Sequence, residues 1–118
     1  MPNYFVEPDT VRLELSDGGW IEVKTELTFG EQQRLIGKVL QSRNAEPTLD
    51  STAWESYKIM GFLTWIVDWS LTDAKGKPVP VSRDAISNLR RPIAEEIDEL
   101  LAKHIQEVES HMDEEKKR

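Results

Sequence analysis

Two short runs of alternating apolar and polar residues, joined by an Asp-Gly pair, constrain this chain more than any other feature. Val11-Arg12-Leu13-Glu14-Leu15 has the two-residue period of a half-buried strand. Ser16-Asp17-Gly18-Gly19 follows, and Asp-Gly favours a tight hairpin turn because glycine accepts a positive φ. Trp20-Ile21-Glu22-Val23-Lys24 then resumes a β-rich run. The pattern predicts a β-hairpin over 10–25. Val11, Leu13 and Leu15 face the core opposite Ile21 and Val23, and Trp20 points the other way.

The rest of the chain reads as helix. Thr28 and Glu31 have the spacing of a capping box, in which each side chain satisfies the other's backbone N–H. Leu27 stands at the staple position before the cap. The helix they open runs from about Phe29 to Ser42, with Leu35, Ile36, Val39 and Leu40 on one stripe. Arg43 to Asp50 reads as a loop. A second helix is expected from Ser51 or Thr52 to about Ser70, carrying three of the four tryptophans. Its apolar residues cover nearly every face, so it lies central in a core or beneath a partner. Asp73 to Gly76 suits a tight turn, and Ser82 can cap a short helix through Leu89. Pro92 fits the first turn of a long last helix, where its missing N–H costs little. Ile93, Ile97, Leu100, Leu101, Ile105, Val108 and Met112 line one side of that helix, which is expected to fray from Ser110.

These elements make an α+β chain, mostly helical, of a single domain, since 118 residues leave no room for a second core. Its parts are a flexible N-terminus over 1–9, the hairpin over 10–25, a helical part over 28–109 and a charged tail over 110–118. Self-association could add to the modest stability of so small a domain.

Charge and composition restrict function. The formal net charge is −7, from 22 acidic and 15 basic residues. Nucleic acids and anionic membranes attract clustered Lys and Arg, and none occurs before Lys116, Lys117 and Arg118, so neither is an expected partner. With no cysteine there is no thiolate metal site or cysteine nucleophile. The longest apolar stretch, Ile59 to Leu71, is interrupted by Thr64, Asp68 and Ser70 and falls short of the roughly 20 apolar residues of a membrane helix. Met1 to Thr10 has no basic and apolar signal pattern. A cytoplasmic protein is expected.

No constellation of residues suggests catalysis or a cofactor. His104, Glu107 and His111 share a helix face, but without a fourth ligand they read as a solvated surface. Glu95, Glu96, Asp98 and Glu99 read as an exposed acidic face. Asp68, within an apolar run, is expected to cap the central helix or to pair with Arg34 or Lys58. No phosphate-binding glycine motif is present. The expected activity is therefore protein binding, through Trp54, Tyr57, Phe62 and Trp69 of the central helix together with Ile97, Leu101, Ile105 and Val108 of the last.

The order of motifs resembles a known family. Ser16-Asp17-Gly18-Gly19-Trp20-Ile21-Glu22-Val23-Lys24 leads into Glu26-Leu27-Thr28-Phe29-Gly30-Glu31-Gln32. Ile66-Val67-Asp68-Trp69-Ser70-Leu71-Thr72-Asp73 and Gly76-Lys77-Pro78-Val79-Pro80-Val81-Ser82 come later. Over roughly residues 10 to 109 this resembles the tail assembly chaperones of long-tailed bacteriophages, through structural rather than catalytic residues. The resemblance implies a host-cytoplasmic protein that binds the long, helical tape measure protein. It keeps that client soluble until tail-tube subunits assemble, and it is absent from the mature virion. It also implies a longer form made by ribosomal frameshift, for which codons behind Lys116-Lys117 could supply the slippery run. A structural virion protein, such as a tail-completion or head–tail joining subunit, is the alternative.

Overall fold

The structure, a computed structural model, describes residues 4–44 and 51–116, with side chains described outside 38–44 and 51–56. The hairpin forms from β1 (Thr10–Glu14) and β2 (Trp20–Lys24), antiparallel, with Leu13 opposite Ile21 and Val11 opposite Val23. Its turn uses Gly18 at a φ of +91°, a conformation that costs a side-chain-bearing residue more than glycine. Asp17 Oδ1 accepts from the Gly19 N–H at 2.8 Å, and the Leu15 N–H donates to the Gly19 carbonyl at 2.8 Å. Leu15, Ile21 and Val23 are buried and Leu13 is half-buried, while Val11, at the rim of that face, stays more than one-third exposed. On the opposite face the Arg12 guanidinium lies 3.8 Å from the Trp20 ring centroid.

The central helix ends earlier than its apolar run suggests. Helix α2 spans Ser51–Trp65, and Ile66–Trp69 form a third strand, β3, antiparallel to β2 in a sheet of order β1-β2-β3. Ile66 pairs with Val23 and Asp68 with Glu22, so one step on β2 spans two on β3. The bulge leaves Val67 exposed and turns both Ile66 and Trp69 into the core. Residues three apart share a face of a helix, and they share a face of a strand only across such a bulge. Asp68 is therefore no helix cap. It lies on the exposed face, where its carboxylate accepts from the Trp69 N–H. Lys58 pairs with Asp98 instead, at 2.6 Å.

The predicted caps form as their spacing requires. Thr28 Oγ1 accepts from the Glu31 N–H at 3.1 Å, and Glu31 Oε1 accepts from the Thr28 N–H at 3.0 Å. They open α1 (Phe29–Asn44), two residues longer than expected; positions 45–50 of the expected loop lie outside the described residues. Asp73 Oδ1 organises the following turn by accepting from the N–H groups of Lys75 and Lys77. Thr72 bridges Pro78, and the Trp69 indole N–H donates to the Val79 carbonyl. Ser82 caps α3 (Arg83–Ser87) by accepting from the Ala85 N–H.

The last helix, α4, spans Arg91–Lys116 and stays helical past Ser110, where fraying was expected. It packs on its own domain: Ile97 (0% exposed) and Leu101 join Leu15, Ile21, Val23, Ile59, Phe62, Trp65, Ile66 and Trp69 in one core. Part of its acidic run is structural rather than free surface. Glu96 accepts from the Ser16 N–H at 3.0 Å and from its hydroxyl at 3.2 Å, and Asp98 holds Lys58. His104 also leaves the solvated face. Its Nε2 is 2.8 Å from the Lys24 carbonyl oxygen, and its ring meets Trp65 edge-on at 5.5 Å. At the other end of the chain, the Thr25 N–H donates to the Asp9 carbonyl, extending the hairpin ladder into the segment expected to be flexible.

Deleting three heavy atoms from a fully enclosed site leaves a void that close packing cannot fill. Ile97→Ala is expected to lower unfolding free energy by about 2–5 kcal/mol, read from urea denaturation. A second outcome concerns acid. The Lys24 ammonium and the Thr28 N–H hold the Glu31 carboxyl below its ordinary value of 4.5. Its contribution is therefore complete above that value and lost as the pH falls through the lower folded one. Glu31→Gln should flatten the acid limb of the stability curve while changing the slope near neutrality little, measured by urea midpoints between about pH 3 and 7.

Candidate protein-binding groove

The eight residues expected to bind protein separate into distinct environments. Phe62, Trp69, Ile97 and Leu101 are interior, each less than one-tenth exposed. This corrects their assignment to a binding surface: the helix apolar on all sides is covered by this chain's own sheet and α4, so their area is already spent in the core. Tyr57, Ile105 and Val108 are only partly buried and meet at one place. The side chain of Trp54 lies outside the described residues.

That place is a groove of about 530 Å³ between the start of α1 and the C-terminal half of α4. Trp65 and Leu27 reach it from the core, Ile105, Val108 and Met112 form the α4 wall, and Phe29 and Leu35 form the α1 wall. Gln32, Gln33, Glu109 and Lys116 supply polar groups. Phe29 is 80% exposed and continues the apolar lining of the groove onto the surface, so that the two form one contiguous apolar patch. The capping box explains its placement. Thr28 must stand outside the helix to cap it, which puts Phe29 in the first turn. Ile36, one heptad on, is also exposed. Phe29 was absent from the expected surface, although its spacing of seven from Ile36 marks a shared helix face.

The two helices that wall the groove are both tied to the end of strand β2. Lys24 is engaged twice, its ammonium by Glu31 of α1 and its carbonyl by His104 of α4. Both walls are thereby fixed to the end of one strand. Among the described residues no three His, Asp or Glu side chains gather where a metal ion could sit, and none of the polar or charged side chains is buried. His104 turns inward while His111 is exposed. No described helix is long and apolar enough to cross a membrane.

No family model, curated protein or solved structure matches the chain.

Since Phe29 packs against little of its own domain, Phe29→Ala should change unfolding free energy by no more than about 0.5 kcal/mol. Trp65→Ala, at the groove floor, should cost about 3–5 kcal/mol. Parallel urea titrations of the two variants separate a surface residue from a structural one.

Proposed function

We propose that this chain is a tail assembly chaperone of a long-tailed bacteriophage, holding apolar helical segments of the tape measure protein in the groove between α1 and α4. The observation that carries the reading is the groove itself, apolar along both walls and bordered by the exposed ring of Phe29. An amphipathic helix binds by laying its apolar face into such a channel. The client's identity comes from the resemblance of the hairpin, the capping segment and the Ile66–Ser82 region to that family. A net charge of −7 suits the task, because like charge keeps complexes of an otherwise insoluble client apart. In this reading the chaperone acts in the host cytoplasm, hands the tape measure to tail-tube subunits and does not enter the virion.

The test is co-expression with the tape measure protein. Phe29→Asp and Val108→Asp should each move the client from the soluble fraction to the pellet, while circular dichroism of the variants stays that of the parent. A client that remains soluble with both variants present would remove the groove from the reading. Leu101→Asp is unsuitable, since it places an unpaired charge in the core and unfolds the chain. Mass spectrometry of purified particles separates a chaperone, which is missing from them, from a structural virion protein, which is present.

A further inference from the structure

Strand β1 is an outer strand of the sheet, and the hydrogen bonds at its two ends show which of its backbone groups remain open. The Leu15 N–H donates to the Gly19 carbonyl, and the Thr25 N–H donates to the Asp9 carbonyl. In an antiparallel pair, residues alternate between facing the partner strand and facing away. The odd-numbered positions of this strand therefore bond to β2, and Thr10, Arg12 and Glu14 turn their N–H and carbonyl groups outward. Both ends of that open edge are closed. Pro8 has no N–H to offer, and the outward N–H of Ser16 is taken by Glu96 Oε2. Three residues are left with paired donors and acceptors and, among the described residues, no backbone partner. Exposed edges of this kind template the pairing of another strand.

We propose that a second copy of this chain pairs there, β1 against β1, about a two-fold axis through Leu13, joining the two sheets into six strands. Charge selects the register. With the axis at Leu13, Arg12 of each copy stands opposite Glu14 of the other, and both are outward-facing positions, so each pair exchanges two backbone hydrogen bonds. Their side chains share the solvent face, where Glu14 has no cation of its own among the described residues and Arg12, stacked over the Trp20 ring, has only a loose ion pair, with Glu22 at 3.4 Å. With the axis at Arg12, the two arginines would oppose each other, and like charges directly across strands repel. On the inner face the chosen register sets Leu13 against Leu13 and places Val11, still more than one-third exposed, against Leu15 of the second copy. This edge is separate from the α1–α4 groove, so the inference stands whatever client the groove takes.

Sedimentation velocity of the intact chain, over a concentration series at low salt, tests it. The parent should show a monomer–dimer equilibrium that weakens as salt screens the exposed pairs. Arg12→Glu and Glu14→Arg alone each convert two attractive pairs into two repulsive ones, and each should raise the dimer Kd by roughly tenfold or more. Arg12→Glu combined with Glu14→Arg restores opposite charges and should recover the dimer. Because the chain has no cysteine, Leu13→Cys reads the axis directly. A pair that is not hydrogen-bonded brings its Cα atoms to about 4.5 Å, within disulfide range, so oxidation should give a covalent dimer. A parent that is monomeric throughout the series overturns the proposal. So does a dimer that is indifferent to both single reversals, or one that Leu13→Cys does not cross-link.

Discussion

Strand β2 is the element on which the structure depends. It pairs on one side with β1 and on the other with β3, and its inward side chains, Ile21 and Val23, are shut off from solvent completely. Ile97 of α4 is equally enclosed within the same cluster. A short antiparallel ribbon is marginal alone and needs a third strand or a covering helix, and here both meet on two β2 residues. The end of the same strand, Lys24, takes up Glu31 from α1 and His104 from α4. Apolar burial supplies the bulk of the stabilisation, and the polar contacts decide at what height and angle the helices sit.

Those polar contacts divide α4 into two working parts. Its first half is tied down, through Glu96 to the hairpin turn and Asp98 to α2, with Ile97 between them in the core. Its second half, from His104 onward, presents Ile105, Val108 and Met112 to the groove. An exposed apolar wall needs a rigid support, because a loose one would collapse onto itself to bury its own surface. Anchoring at one end and an open apolar wall at the other follow from where the polar ties fall along α4.

Local rules were enough for much of the fold. The Asp17-Gly18 turn, the alternation from Val11 to Val23, the Thr28 and Glu31 capping box, the Ser82 cap and the start near Pro92 all depend on neighbours a few residues away. Each formed where its chemistry placed it. The third strand was hidden for a physical reason. Its inward residues, Ile66 and Trp69, have helical spacing, and only the bulge opposite Glu22 and Val23 lets a strand accept that spacing. Once those residues are taken for helix, the segment seems over-apolar for so small a domain and suggests a partner that the sheet in fact replaces.

Sequence by itself thus determined the hairpin, the caps, the amphipathic last helix and the acidic charge, because each is written in short-range pattern and composition. Tertiary structure decided the division between interior and surface. It placed Phe62, Trp69, Ile97 and Leu101 inside, left Tyr57, Ile105 and Val108 at the groove, and exposed Phe29 beside them. An apolar side chain has the same affinity for any dry contact. Only the assembled layers determine whether that contact comes from its own chain or from another.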